Sequence, residues 1–189
     1  SLDQILAMSE EFYKADAGIA LSIQLASFGT KIIEKYGSEE QKESYLRPVA
    51  ENQKISGLAV SEPESGSNLA GMQTKAEKDG DEWVLNGEKY WIGNGVEADW
   101  LTLYAKTGES DDRYSNYSLF IVPTDSDGYE AEHIPEKMSF RSSKQAHITL
   151  NNCRIPEDNI IGSEGAGFYM IAEYFNRGRI IVAGHGLGL

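Results

Sequence analysis

Residues 59–71 have the sequence AVSEPESGSNLAG, which begins like a strand and then changes into a loop. Three serine hydroxyls fall within the seven residues 61–67. Pro63 stiffens this loop, and Gly66 allows the backbone to approach a ligand closely. Free backbone amides and hydroxyls of this kind are typical of a loop that grips a phosphate or the polar edge of a heterocycle. A plain surface turn is the alternative interpretation.

The chain before this loop has helical patterning. Residues 2–17 and 19–36 place apolar side chains at roughly helical spacing, and Gly37 is a typical residue to end the second helix. The next four residues, 38–41, match a capping box that opens a short helix to about Leu46, which Pro48 is expected to end. The first fifty or so residues are therefore predicted to be helical.

Strand patterning begins after Ile55. Residues 83–92 are predicted to form a hairpin through an Asn86-Gly87 turn, preceded by another turn at residues 79–81. The polar segment 107–116 is predicted to be a loop. Further predicted strands are residues 100–105 and 118–122, with weaker candidates at 134–138 and 146–150. Short strands separated by turn signals predict an antiparallel sandwich or barrel over residues 55–155.

Helical spacing returns after Pro156 and a cluster of glycines and continues through Val182. The predicted fold class is therefore α+β, with a helical N-terminal segment, an antiparallel β-barrel or sandwich in the middle, and a C-terminal helix. The predicted boundaries are 1–54, 55–157 and 158–189. Both helical parts carry apolar faces that need partners.

Composition excludes several classes of function. A net charge of −13 and a pI near 4.6 argue against non-specific binding to nucleic acid or an anionic membrane. No apolar run approaches the roughly 20 residues of a membrane helix, and no secretory leader is visible. The single cysteine excludes an intrachain disulfide, and the three histidines have no metal-ligand spacing. We expect no metal site and a reducing location, the cytoplasm or the mitochondrial matrix.

Four segments in register resemble signatures of the acyl-CoA dehydrogenase family. They are the opening loop, the sequence LNGEKYWIGNG at 85–95, residues 152–156 with the glycines that follow, and residues 35–42. The loop departs from the family at Asn68, where aspartate is usual. The resemblance covers about residues 16–189. It implies a helical N-terminal domain, a middle β-domain and a C-terminal four-helix bundle, of which this chain is a fragment.

The resemblance implies that FAD binds beside the opening loop. Hydrogen-bond donors there hold the pyrimidine edge of the flavin, where the reduced ring carries negative charge. The expected cofactor-binding residues are Leu58, Ala59, Val60, Ser61, Ser67, Trp91, Ile92 and Gly93. A tryptophan in the sheet core is the alternative for Trp91. Gly93 departs from the Thr or Ser that most relatives have there, as in some oxidase-type members.

The resemblance also implies a site for acyl-CoA. Ser67 matches a residue that contacts the thioester, and Asn176 and Arg179 match positions that hold the CoA part. Arg179 is suited to pair with a phosphate or stack on adenine, although a solvated charge is the alternative. Some subfamilies place the catalytic glutamate immediately before this arginine, where this chain has Gly178. We therefore expect no catalytic base within the chain.

The activity implied is α,β-dehydrogenation of an acyl-CoA thioester, with electrons passed to an electron-transfer flavoprotein. The family also implies a homo-oligomer, a dimer or tetramer. Two alternatives remain open. One is a catalytically silent ligand-binding or assembly module on the same scaffold, favoured by the missing base and by Asn68 and Gly93. The other is an acyl-CoA oxidase-like enzyme.

Overall fold

A computed structural model describes residues 2–189, with side chains from Asp3 onward. The helices are α1 (Leu2–Ala15), α2 (Ala17–Leu25), α3 (Thr30–Tyr36), α4 (Glu39–Gln41), α5 (Arg47–Ala50) and α6 (Gly167–Gly188), with a π-helical turn at Lys42–Leu46. The strands are β1 (Ser56–Ala59), β2 (Lys75–Asp79), β3 (Glu82–Gly93), β4 (Trp100–Lys106), β5 (Tyr117–Pro123), β6 (Tyr129–His133), β7 (Gln145–Pro156) and β8 (Ile160–Ile161). Short 3₁₀ turns lie at Leu69–Gly71 and Glu157–Asn159.

The N-terminal segment is helical, as expected, but its boundaries differ in two places. The predicted helix over 19–36 is interrupted after Leu25, because Gly29 adopts a left-handed conformation (φ +89°) before α3 begins. Pro48 does not end the helical segment. It lies in the first turn of α5, where a missing N–H costs little, and the helix continues to Ala50.

The predicted capping box is confirmed and also anchors the helices to the sheet. The Ser38 hydroxyl accepts from the Gln41 amide at 3.1 Å, and the Gln41 side chain accepts from the Ser38 amide at 3.1 Å. The Gln41 side-chain nitrogen donates to the carbonyls of Asp158 and Ile160 at 2.7 and 2.8 Å. The start of α4 is thereby joined to the end of the β-domain.

The eight strands form one mixed sheet in the order β6-β7-β3-β2-β4-β5-β8, with β1 also paired to β4. The expectation of a wholly antiparallel barrel or sandwich is corrected in two respects. Strands β1 and β2 both pair with β4 in parallel, and the end strands β6 and β8 do not pair with each other, so the sheet stays open. The reason is that β1 and β2 lie end to end along β4, with residues 60–74 looping out between them.

The predicted hairpin at Asn86-Gly87 is wrong. Strand β3 runs through these residues and pairs with β7 on both sides, with an irregularity between Leu85 and Gly87. Gly87 instead permits close approach, because a Cβ there would lie 2.7 Å from the Cα of Thr74. The actual hairpin joins β2 to β3 through Gly80 (φ +67°), at the turn expected over residues 79–81.

The other strand predictions are mostly confirmed. Residues 100–105 and 118–122 lie in β4 and β5, and residues 146–150 lie in β7. The weak candidate at 134–138 is wrong, because the chain turns there and Glu136 has a left-handed backbone (φ +53°). The strand that pairs with β7 is instead β6, which ends at His133.

Both faces of the central strands are buried. One face carries a hydrophobic cluster that includes Trp83, Leu85, Phe120 and Ile148. The opposite face packs against α3 and α6 through a second cluster that includes Ile32, Trp100, Leu119 and Ile171. The predicted C-terminal helix is confirmed as α6, and its far end also packs on α1.

No helix within residues 2–189 has both the length and the apolar character to cross a membrane. The same residues contain no group of three or more His, Cys, Asp or Glu side chains arranged to hold a metal ion.

Candidate functional site

The predicted ligand loop occupies residues 60–74, between β1 and β2, which both pair with the same side of β4. Its two ends lie close together, since Ala59 pairs with Leu103 and Lys75 pairs with Lys106 on that strand. The amide of Tyr90 on β3 donates to the Ser61 carbonyl at 2.8 Å. The loop is therefore held between β4 and the last third of β3.

A buried ion pair lies under this loop. The Lys89 ammonium contacts a Glu62 carboxylate oxygen at 2.9 Å and donates to the Val60 carbonyl at 2.9 Å. The same carboxylate accepts from the backbone amides of Gln73 at 2.6 Å and Thr74 at 2.9 Å. The side chains of Lys89 and Glu62 are 0% and 6% exposed. Every oxygen and ammonium of the pair thus has a partner, as buried charges require.

The two partners titrate differently for a physical reason. Burial lowers the pKa of Lys89 from 10.5 to about 8, although Glu62 opposes this shift. Burial opposes ionisation of Glu62, but Lys89, the Gln73 amide and the Thr74 side chain outweigh it and hold the pKa of Glu62 below its ordinary value. The carboxylate has more polar partners than the ammonium, so it is ionised more readily in the fold.

The tip of the loop is an ordered turn that leaves hydroxyls free. Glu62 and Ser65 exchange backbone hydrogen bonds at 2.8 and 3.2 Å, and the Ser65 hydroxyl donates to the Asn68 carbonyl at 2.9 Å. By contrast, the hydroxyls of Ser61 and Ser67 make no hydrogen bond within the described part of the chain. Nothing lies within 4 Å of the position where a Cβ on Gly66 would stand. The exposed Ser67 at the tip and the half-buried Ser61 at the start of the loop therefore offer unpaired donors.

Trp91 follows Tyr90 on β3 and lies outside the sheet core. It is 56% exposed and has a left-handed backbone (φ +62°) at an irregularity in the β3–β7 ladder between Lys89 and Ile92. Its ring packs edge-on against Tyr90 at 5.4 Å. The alternative of a core tryptophan is wrong. A strained, solvent-facing tryptophan is a feature that a bound planar ring would explain.

The remaining residues expected to bind the cofactor are buried. Leu58, Ala59 and Val60 place their side chains in the two hydrophobic clusters, so only their backbone groups are suited to face a ligand. Ile92 is also buried in the core. A Cβ on Gly93 would lie 2.8 Å from a Leu25 methyl, so the glycine accompanies close packing of α2 on this strand.

The two residues expected to hold CoA lie on the exposed surface of α6. The Arg179 guanidinium donates to the Asn176 side-chain oxygen at 2.7 Å. No hydrogen bond or ion pair among residues 3–189 joins either of them to the loop. They therefore form a local pair, and the structure does not bring them to the serines.

Sequence reasoning missed Lys89, although the sequence contained a signal for it. Residues 83, 85, 87 and 89 alternate along β3, and Trp83 and Leu85 face the core. A lysine in phase with core residues is unusual unless it is paired. The hairpin predicted at Asn86-Gly87 concealed this phase by dividing the strand.

The chain matches two domain models of one known protein family. The sequence model of the acyl-CoA dehydrogenase middle domain matches residues 57–153, and that of the N-terminal domain matches residues 2–53. The chain belongs to the acyl-CoA dehydrogenase family. The resemblance inferred from the motifs is thus confirmed, and the loop and Trp91 both lie within the matched middle domain.

Individual relatives agree with this assignment. This family member is 35% identical over 190 residues to mitochondrial isovaleryl-CoA dehydrogenase of Pongo abelii, which covers 100% of this chain and 45% of that protein. It is 34% identical over 175 residues to mitochondrial short-chain specific acyl-CoA dehydrogenase of Rattus norvegicus, with coverage of 93% and 42%. A solved glutaryl-CoA dehydrogenase from Mycobacterium smegmatis in complex with FADH2 superposes with a TM-score of 0.86 at 35% identity, covering 95% and 45%. The chain spans less than half the length of each of these relatives.

Proposed function

We propose that this chain supplies one wall of the flavin and acyl-CoA site of an FAD-dependent acyl-CoA dehydrogenase. The observation that carries the proposal is the hydrogen bond from the Tyr90 amide to the Ser61 carbonyl. It joins the loop that carries the unpaired hydroxyls to the residue before Trp91, whose ring is exposed. A planar heterocycle with a polar edge requires this combination of an aromatic surface and hydrogen-bond donors.

The residues present fit FAD. The indole of Trp91 provides an exposed surface for ring stacking, and the hydroxyl of Ser61 and nearby loop amides provide donors for the polar edge. FAD bound here would supply the hydride acceptor of the reaction. The chain's own part is to orient the ring, exclude water from one side of it, and place donors where negative charge develops on reduction.

For the substrate, we assign Ser67 to the thioester end and Asn176 and Arg179 to the CoA part of an acyl-CoA. The exposed guanidinium of Arg179 is suited to a phosphate or to stacking on adenine. The proposal assigns no catalytic base to this chain, because Gly178 precedes that arginine. An electron-transfer flavoprotein as electron acceptor, a dimer or tetramer, and a cytoplasmic or mitochondrial matrix location complete the proposal.

The proposal is tested by titrating FAD into the purified chain and following flavin fluorescence. We expect saturable quenching by the wild type and at least a tenfold weaker affinity for W91A, because the stacking surface is lost. Y169A is the matched control, since Tyr169 is 59% exposed on α6 and its ring contact is with Phe168. Equal affinity in W91A and wild type, or no saturable binding by the wild type, would contradict the proposal.

A second function, an oxidase-like activity, is favoured by one observation. Position 93 carries no hydroxyl, and Leu25 fills the space where a side chain would begin. An assay of acyl-CoA turnover that measures hydrogen peroxide, run on a protein in which this chain is joined to a segment that carries a catalytic base, separates the two activities. Peroxide formed in proportion to product supports an oxidase, whereas turnover that requires an added electron acceptor supports the dehydrogenase.

A further inference from the structure

We propose that the buried Lys89–Glu62 ion pair positions the serine hydroxyls of loop 60–74 against Trp91, which makes Lys89 a positioning residue of the candidate flavin site. This inference rests on the proposed function for its link to flavin. Its claim about the loop itself rests only on contacts within the chain.

The pair closes the base of the loop by holding both of its ends. At the start of the loop, the Lys89 ammonium donates to the Val60 carbonyl at 2.9 Å. At the end of the loop, the Glu62 carboxylate accepts from the amides of Gln73 and Thr74 at 2.6 and 2.9 Å. Because Lys89 and Glu62 are joined at 2.9 Å, the two ends are fixed to one point.

Three consecutive residues of β3 hold the loop. The Glu88 carbonyl accepts from the Thr74 hydroxyl at 3.1 Å, Lys89 forms the ion pair, and the Tyr90 amide donates to the Ser61 carbonyl at 2.8 Å. Trp91 is the next residue along the strand. A change in the position of Lys89 is therefore passed to both sides of the candidate site, the loop and the indole.

The two buried charges favour one conformation of loop 60–74. An ammonium and a carboxylate that are both withdrawn from water are stable only when they are paired, so loop conformations that separate them are strongly disfavoured. The ring of Tyr104 encloses the pair, with its centroid 5.9 Å from the Lys89 nitrogen. Tyr104 stacks on Tyr117, whose hydroxyl donates to the Met72 carbonyl near the end of the loop. The surroundings thus offer the ammonium no route to solvent.

The test compares wild type with K89M and with the control K78M. Lys78 lies on the neighbouring strand β2 and forms an exposed ion pair with Glu157, with no hydrogen bond or ion pair to loop 60–74 in the described part of the chain. Two quantities are measured on each protein: residue-resolved amide hydrogen exchange at Gln73 and Thr74, and the dissociation constant for FAD. For K89M we expect exchange at both amides to accelerate at least tenfold, with Phe120 in the central strand β5 as internal reference, and the FAD dissociation constant to rise at least tenfold. K78M is expected to match wild type in both.

Each outcome decides the inference. Unchanged exchange at Gln73 and Thr74 in K89M overturns it, whatever the affinity for FAD. Accelerated exchange with unchanged FAD affinity also overturns it, because the pair then does not act on the cofactor site. If the wild type binds no FAD, the proposed function fails, and the exchange data alone decide whether the pair positions the loop.

A second variant, E62Q, allows the inference to be tested if K89M does not fold. E62Q keeps the size of the side chain and one acceptor oxygen but removes the negative charge. Because a carboxamide nitrogen cannot accept from the second amide, exchange at Gln73 or Thr74 is expected to accelerate and FAD affinity to fall, by less than in K89M. E62Q indistinguishable from wild type in both measurements would overturn the inference.

Discussion

The two ends of strand β3 carry ion pairs of similar chemistry in opposite surroundings. Near the β2–β3 turn, Arg154 of β7 binds Asp79 and Glu82 at 2.7 and 2.8 Å, and its side chain is 48% exposed. Toward the other end, Lys89 binds Glu62, and their side chains are 0% and 6% exposed. The distances are nearly equal, so they do not distinguish the pairs. Burial distinguishes them. Water screens the exposed Arg154 pairs, whereas the buried Lys89–Glu62 pair depends on its protein partners.

The largest expected difference between the two ends is in stability. We expect K89M to lower the free energy of unfolding by about 3–5 kcal/mol, because it leaves the Glu62 carboxylate buried without its counter-charge. Urea denaturation followed by tryptophan fluorescence measures this change. A loss well below 1 kcal/mol would mean that water reaches Glu62 and that the two ends of β3 are energetically alike.

A double-mutant cycle sharpens the comparison by isolating the pairwise energy at the buried end. E62Q, K89M and the double variant are expected to give a coupling energy of about 1–3 kcal/mol, since removing both charges together leaves neither one uncompensated. The free energies come from the same denaturation experiment. Strictly additive losses would contradict a direct interaction between Glu62 and Lys89.

The pH dependence of stability gives a smaller and directional test. The pKa of Lys89 is about 8 in the fold against an ordinary 10.5, so between these pH values the unfolded chain keeps a proton that the folded chain has released. The stability of wild type relative to K89M should therefore rise across this interval, with a slope of at most about 1.4 kcal/mol per pH unit. A flat or falling difference between the two proteins from pH 8 to 10.5 would contradict the lowered pKa.

The smallest effect is expected at the exposed end. R154M should leave the urea midpoint within experimental error of wild type, because solvent screens the Arg154 pairs and the side chains pay entropy to form them. Added salt should change the stability loss caused by R154M more than the loss caused by K89M, because salt screens exposed charges more than buried ones. An R154M loss equal to that of K89M would show that burial is not the deciding variable.

The sequence predicted much of this molecule through local signals that the structure keeps. The Ser38–Gln41 capping box, the turn at Gly80 and the strands β4, β5 and part of β7 were predictable because each depends on neighbours in the chain. The family motif over residues 59–71 also predicted a candidate site in what the structure shows as loop 60–74. The parallel pairing of β1 and β2 on β4 was not predictable, since strand direction in a sheet depends on partners distant in sequence.

Other errors arose where a tertiary contact overrode a local signal. Asn86-Gly87 has the composition of a hairpin turn, but Gly87 serves the close approach of Thr74 instead. For Trp91, only the alternative of a core residue was wrong, because the irregularity in the ladder turns the side chain toward solvent. The partner of Lys89 lies 27 residues away in sequence, so the alternation along β3 indicates a paired lysine but does not identify Glu62 as its partner.

The central claim is that loop 60–74 and Trp91 together form a wall for flavin. It is tested most directly by mapping amide and indole chemical shifts of the isotope-labelled chain while FAD is added. We predict that the shifts concentrate at residues 61–68 and 90–93 and include the indole N–H of Trp91. Shifts confined to other surfaces, such as residues 134–144 or α6, or no shifts at saturating FAD, would contradict the account.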